Sequence, residues 1–169
     1  DKRAIPVLQE ILEDRNQEPM VRHEAAEAMG AIGALIALPI LEQYEKDSVQ
    51  EVAETCQLAI ERIKAMAGSD ELQISPYCSV DPAPPSTVTD VDELKKTLID
   101  ENVSLFERYK AMFALRNLQS RESVLALSSG LKCGSALFRH EIAFVLGQMQ
   151  HEASVPFLKE SLEDCQENE

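Results

Sequence analysis

Apolar residues recur along most of this chain at the three- and four-residue steps of an amphipathic helix. Two stripes share the same steps: Val21, Ala25, Ala28, Met29 and Ile32 in one, and Phe138, Ile142, Val145, Leu146 and Met149 in the other. At about 100° per residue, His23 and His140 point nearly opposite the centres of these stripes, while Glu24 and Glu141 lie at their edges. The pattern therefore predicts that both histidines lie on helix faces turned away from the buried layer.

The same periodicity predicts helices along nearly the whole chain. They are expected over residues 4–13, 35–44, 49–66, 91–100, 105–118, 122–131, 136–149 and 153–163, and a further helix begins at Pro19. Pro39 should bend or interrupt the helix over 35–44, and Asp47-Ser48 should cap the helix that follows. Residues 67–89 contain four of the eight prolines, which predicts an extended linker.

The helical segments resemble one another at intervals of about 30 residues. Residues 108 and 139 align at an offset of 31, and residues 21 and 49 at an offset of 28. A helix pair that cannot bury its apolar face alone stacks on the next pair, so this period predicts an α-solenoid of compact HEAT-like repeats. The expected fold is all-α, with a repeat block over 1–66, the linker over 67–89, and a second repeat block over 90–169.

Composition limits the classes of binding partner and the cellular compartment that we expect for this chain. The formal net charge of −14 provides no basic surface for a nucleic acid, whereas it suits a cationic partner. None of the four cysteines forms a CxxC pair, which disfavours a thiolate zinc site. No apolar run of about 18 residues is present, and we expect no signal peptide. We expect a cytoplasmic protein with reduced thiols and no membrane contact.

Two His-Glu pairs carry the main chemical signal. His23-Glu24 and His140-Glu141 each follow an arginine, and they occupy the same register of two repeats. Imidazole nitrogens and carboxylate oxygens suit iron, manganese or zinc, and facing helices could share such a site. The alternative is two solvated pairs that recur because the repeats are homologous. The other repeats carry Glu51-Val52 and Tyr109-Lys110 at this position, so the fold itself does not require His-Glu there.

Other candidates favour structural roles. His151-Glu152 falls in a turn outside the register of the two pairs and is interpreted as incidental. Arg22 and Arg139 could orient a ligand carboxylate, but salt bridges between repeats are the favoured interpretation. Met20, one turn before His23, could line a pocket or simply pack. Two glycines are expected to allow close helix approach, Gly30 and Gly147.

Several segments together resemble one enzyme family. They are VRHEAAEAMGAIG, EVAETCQLAI, SVDPAPP, LFERYKAMFALRN and CGSALFRHEIAFVLGQMQHE, and they are similar to deoxyhypusine hydroxylases over essentially the whole chain, linker included. The resemblance implies a HEAT-like helical-repeat enzyme with two irons. Such an enzyme uses dioxygen to hydroxylate the deoxyhypusine side chain of a precursor of translation initiation factor five A, which completes hypusine.

The resemblance also implies roles for individual residues. His23 and Glu24 would bind one iron and His140 the other. Glu141 would be the catalytic carboxylate, as a further iron ligand, beside the ligands, or on the substrate amine. Met20 is a candidate substrate contact because of its place one turn before His23, and not because of the resemblance. Members of this family carry four His-Glu pairs, and this chain matches only the second and third. The expectation is therefore an internal fragment that is inactive or metal-poor unless two copies share ligands. The rival hypotheses are a non-catalytic HEAT-like protein-binding scaffold and, less well matched, a bilin lyase.

Overall fold

The computed structural model describes residues 1–67, 76–77 and 79–167. Within them, nine α-helices and no strand are found. Their bounds are α1 Ile5–Glu13, α2 Pro19–Ile32, α3 Leu38–Tyr44, α4 Gln50–Met66, α5 Val91–Ile99, α6 Leu105–Leu118, α7 Arg121–Ser128, α8 Ala136–Met149 and α9 Val155–Glu163. Short 3-10 turns precede α1, α3 and α9 and follow α7. The predicted all-α class is confirmed, and α6 and α8 have the predicted bounds.

Two predictions concern helix starts. The helix predicted over 35–44 is interrupted just before Pro39, as one of the two alternatives expected: residues 35–37 form a separate 3-10 turn, and Pro39 lies in the first turn of α3, where a missing N–H costs little. The predicted cap of the following helix is wrong. The N-cap of α4 is Val49 rather than Asp47-Ser48. The Asp47 carboxylate still accepts a hydrogen bond from the Val49 amide at 2.9 Å, but its main partner is Arg22.

The described chain divides into two compact units, Asp1–Ala83 and Pro84–Glu169. In the first unit α2 lies between α1 and α4. Arg22 donates from Nε to the Leu12 carbonyl at 2.9 Å on one side, and Gly30 meets Ala59 of α4 on the other. Because two helices cover α2, its buried face is wider than the predicted stripe. It includes Arg22 and His23, whereas Val21, a predicted stripe residue, is exposed.

The Pro-rich segment is described only in part. Asp81 and Ala83 are buried, and Arg62 donates from Nε to the Asp81 carbonyl at 2.9 Å, so this end of the segment packs on the first unit. Most of the remainder of residues 67–78 lies outside the described residues. The division into 1–66, 67–89 and 90–169 stays a prediction.

The second unit contains α5 to α9. Its aromatic centre is Tyr109, whose ring lies 6.1 Å from Phe113 and 5.7 Å from Phe138. The predicted stripe of α8 is nearly all buried here, since Phe138, Ile142, Val145 and Leu146 are in the core. The stripe prediction therefore holds for α8 and only in part for α2, where Ala25 and Met29 are buried but Val21 is exposed.

Helix starts give the repeat period directly. α2 and α4 begin at Pro19 and Gln50, and α6 and α8 begin at Leu105 and Ala136, an offset of 31 residues in both cases. The predicted offset of 28 residues between α2 and α4 is therefore three residues too short. The position in α4 that matches His23-Glu24 is Glu54-Thr55, not Glu51-Val52. The conclusion that this repeat lacks a His-Glu pair is unaffected.

Candidate metal and substrate site

His23 lies at the contact between α2 and α4 and is only 5% exposed. This contradicts the prediction that its helix face points away from the buried layer. The reason is the second neighbour: α4 covers the side of α2 opposite α1, and Thr55 of α4 lies with Oγ1 3.4 Å from His23 Nδ1. The apolar stripe of a single helix cannot predict the burial of His23, because the stripe marks only one of the two faces that α2 buries.

The Thr55 hydroxyl favours one tautomer of His23. Its proton is donated to the Glu51 carbonyl at 2.8 Å, so towards His23 Nδ1 the Thr55 oxygen is the acceptor. The tautomer that this contact favours carries the ring proton on Nδ1, so that Nε2 presents its lone pair. This is the arrangement of a metal-binding histidine, whose second nitrogen is held by an outer partner.

The surroundings of His23 Nε2 fit a cation. Glu24 Oε1 lies 3.7 Å away and Met20 Sδ 3.0 Å away, so a lone pair, a carboxylate and a thioether converge. A gap of 3.7 Å between nitrogen and oxygen is one that two metal bonds of about 2.1 Å each can span. The Glu24 side chain is 65% exposed and Met20 is 60% exposed, so this edge of the ring opens to solvent.

Glu27 adds negative charge to the same helix face. It lies one turn after His23 and is half-buried. Burial raises the pKa of the Glu27 carboxyl, and the charge of Glu24 raises it further. Sequence reasoning missed both Glu27 and Thr55. The i+4 spacing from His23 to Glu27 was a visible signal, whereas the Thr55 contact depends on how α4 packs.

Two residues of the second unit match His23 in the repeat register: Tyr109 in α6 and His140 in α8. Tyr109 of α6 is buried beneath Phe138 of α8, just as His23 is covered by α4. His140 of α8 is exposed and Glu141 is half-buried, as the periodicity predicts. Within the described part of this unit, no helix lies on α8 as α4 lies on α2. His140 therefore remains on the surface.

The described residues contain no cluster of three or more His, Cys, Asp or Glu side chains arranged to hold a metal ion. Each unit contains one of the predicted pairs: His23 with Glu24 in the first, and His140 with Glu141 in the second. The donor chemistry of the first pair fits iron or another divalent metal, and each pair by itself is less than a coordination sphere.

The remaining predicted residues have structural roles. Arg22 forms a buried ion pair with Asp47 at 2.6 Å, and Arg139 pairs with Glu167. His151 caps the 3-10 turn before α9 by accepting from the Ala153 amide at 3.1 Å. Gly30 does allow close helix approach, but Gly147 does not, since a Cβ there would meet no described atom within 4 Å.

Comparison with known proteins agrees with this fold. The family model for HEAT repeats matches residues 1–61, and that for the PBS lyase HEAT-like repeat matches residues 107–133 and 138–164. The chain is 57% identical to a deoxyhypusine hydroxylase of Danio rerio and 58% identical to that of Homo sapiens, each over 99% of its length. The chain is homologous to the deoxyhypusine hydroxylases.

A solved structure extends this similarity to three dimensions. The structure of human deoxyhypusine hydroxylase in complex with glycerol matches 99% of the chain with a TM-score of 0.94 and 58% identity. The chain spans 57% and 56% of the length of the zebrafish and human relatives, and 59% of the solved human chain. The described residues include no helix long and apolar enough to cross a bilayer.

Proposed function

We propose that this chain carries two of the metal-binding pairs of a deoxyhypusine monooxygenase. The substrate would be the deoxyhypusine side chain of the translation initiation factor five A precursor, in the cytoplasm. The observation that carries the proposal is the setting of His23, whose Nδ1 is held by Thr55 while Nε2 faces the Glu24 carboxylate. Identity of about 57% to deoxyhypusine hydroxylases supports the choice of reaction.

In this proposal some of the predicted site residues bind iron and others contact the substrate. His23 and Glu24 would bind one iron, and His140 the other, with Glu141 as a ligand or beside it. Iron, when bound, supplies the activation of dioxygen for hydroxylation. Thr55 keeps the His23 proton on Nδ1 and so keeps Nε2 available for the metal. The buried wall formed by α4 fixes the ring in one orientation, which lowers the cost of ordering the site.

The substrate side of the proposal rests on charge. Deoxyhypusine is a lysine extended by a second amine, so its side chain is cationic, and the chain has a net charge of −14. The half-buried Glu141 carboxylate, next to exposed His140, is suited to bind and orient that amine. The Met20 thioether at the open edge of His23 would contact the aliphatic part of the side chain.

Iron binding provides the first test. Ferrous iron is titrated anaerobically into the chain and into His23→Ala, His140→Ala and His151→Ala, and affinity is measured by calorimetry. The first two variants should each lose one component of binding, with affinity lower by at least about tenfold. His151→Ala is the matched control, since His151 caps a turn, and it should bind like the parent.

Substrate recognition is tested separately from iron binding. The deoxyhypusine form and the unmodified form of the factor precursor are titrated into the chain, and Glu141→Gln is compared with the parent. The parent should prefer the deoxyhypusine form, and Glu141→Gln should lose that preference. If His23→Ala and His140→Ala bound iron as tightly as His151→Ala, and the chain did not distinguish the two forms of the factor, the protein-binding scaffold hypothesis would replace the enzyme.

A further inference from the structure

An internal repeat relates the two units and exposes one difference. α1 and α5 span residues 5–13 and 91–99, and α2 and α6 span 19–32 and 105–118, an offset of 86 residues in each case. At this offset Arg22 corresponds to Arg108 and Leu12 to Leu98. Both arginines donate from Nε to the corresponding leucine carbonyl at 2.9 Å. The two guanidinium groups are therefore anchored in the same way.

The two arginines differ in what their terminal nitrogens meet. Arg22 donates from Nη2 to Asp47 Oδ2 at 2.6 Å and from Nη1 to Oδ1 at 3.4 Å. Arg108 is only 4% exposed, and its Nη2 is buried without a hydrogen-bond partner among the described residues. Its guanidinium stacks 4.0 Å above the Phe138 ring, which compensates part of the charge but supplies no acceptor. A buried, unpaired guanidinium nitrogen is costly.

The register position of Asp47 in the second unit is Cys133. The backbone there has the same turn: the Asp47 amide donates to the Tyr44 carbonyl at 3.0 Å, and the Cys133 amide to the Gly130 carbonyl at 3.1 Å, again 86 residues on. Arg108 faces this turn, since a Cβ built on Gly134 would lie 3.1 Å from Nη1 and 3.2 Å from Nη2. A cysteine therefore holds the register position at which the first unit has the acceptor.

Two charged groups near this turn already have other partners. Glu101 accepts from the Gly134 amide at 2.7 Å, and Arg139 donates to the Gly134 carbonyl at 2.7 Å while paired with Glu167. Cys133 is half-buried, with its thiol 3.6 Å from the Ser129 carbonyl, so a small oxidant can reach it. Arg139 is a donor and cannot accept from Arg108, and Glu101 makes no hydrogen bond to Arg108 Nη2.

We infer that Cys133 is an oxidation site whose sulfinate completes the ion pair that Arg108 lacks. A sulfinate resembles the Asp47 carboxylate in charge and in reach from the backbone. Hydrogen peroxide is the oxidant: the thiol and two peroxide molecules give the sulfinate, one proton and two waters. Sulfur loses four electrons and each peroxide gains two as its O–O bond breaks. The new S–O⁻ group accepts the hydrogen bond from Arg108 Nη2.

The test combines mass spectrometry with thermal unfolding. The chain is treated with a small excess of hydrogen peroxide, oxidised residues are located by peptide mapping, and Tm is measured before and after treatment. We expect sulfinate at Cys133 and a rise in Tm of roughly 3–8 °C. Cys133→Ser should show no such rise, although exposed Cys165 remains available to the oxidant.

Two further variants test, without oxidant, whether the negative charge or the shape of the side chain at position 133 stabilises the fold. Cys133→Asp should raise Tm by a similar amount in the reduced chain, whereas the neutral Cys133→Asn should raise it much less. Failure of Cys133→Asp to exceed Cys133→Asn, or a lower Tm after oxidation at Cys133, would overturn the inference. Acetate serves as a further control, because it is a free carboxylate anion. If acetate raised the Tm of the reduced chain as much as oxidation does, a bound anion could fill the place beside Arg108, and the inference about Cys133 would be overturned.

Discussion

Gly30 of α2 lies directly against Ala59 of α4, so that a Cβ built on Gly30 would lie 2.8 Å from the Ala59 Cβ and 3.0 Å from its Cα. The carbonyl of Gly30 also accepts a hydrogen bond from Arg62 Nη1 of α4 at 2.7 Å. This contact sets the separation of the two helices at one end, as the Thr55–His23 contact does nearer the candidate metal site.

Replacing Gly30 by alanine should therefore destabilise the first unit. A methyl group at 2.8 Å from another Cβ forces α2 and α4 apart, and overpacking of this kind costs about 1–3 kcal/mol. The free energy of unfolding is measured by urea denaturation. The matched control is Gly147→Ala in α8, which occupies the same place after its His-Glu pair and meets no described atom within 4 Å. It should stabilise by about 0.5–1 kcal/mol, because alanine is the better helix former. Equal effects of the two changes would show that Gly30 and Ala59 are not in close contact.

Thr55→Val should weaken metal binding more than it weakens the fold. Valine keeps the shape of threonine but removes the oxygen that accepts from His23 Nδ1, so the imidazole loses its preferred tautomer. We expect iron affinity to fall by about 10- to 100-fold, measured by calorimetry. Thr97→Val in α5 is the control, since Thr97 also donates to the carbonyl four residues earlier but lies far from either pair in sequence. If both variants bound iron equally well, Thr55 would not position His23.

Asp47→Asn should remove an acid-sensitive part of the stability. The hydrogen bond from Arg22 holds the pKa of the Asp47 carboxyl below its usual value of 3.8, with burial opposing and the Val49 amide assisting. A depressed folded-state pKa means that the stabilisation is present above the unfolded pKa and is lost as pH falls through the folded one. Leaving the buried Arg22 charge without its carboxylate partner costs up to about 3–5 kcal/mol. Urea midpoints between pH 7 and pH 3 should thus decline less steeply for the variant, and parallel declines would contradict this assignment.

Cys56 should resist thiol reagents in the folded chain. Burial, together with the charge of Asp47, raises the pKa of the Cys56 thiol to about 12, so almost no thiolate exists near neutral pH. Iodoacetamide at pH 8 should modify exposed Cys165 and leave Cys56 intact, as read by mass spectrometry. In urea both should react. Rapid alkylation of Cys56 without denaturant would indicate that the contact between α2 and α4 opens readily.

Much of the fold is present in the local pattern. α6 and α8 begin and end where the apolar spacing predicts, because each has a serine N-cap, Ser104 or Ser135, followed by a continuous apolar stripe. The 31-residue offset between α6 and α8 and the paired His-Glu register were also visible, because both follow from comparing one chain segment with another, whereas the offset between α2 and α4 was not. Helix caps and apolar stripes depend on interactions within a few residues, which the sequence contains in full.

Tertiary contacts decided the rest. Periodicity placed His23 and His140 on equivalent solvent-facing positions, yet α4 buries His23 and no helix of the described second unit covers His140 in that way. Gly30 and Gly147 look equivalent in the sequence, but only Gly30 has a neighbour at 2.8 Å. Likewise the missing partner of Arg108 becomes visible only beside Asp47 and Arg22. A stripe reports the face that a helix buries by itself, whereas burial by a second helix depends on packing between segments distant along the chain.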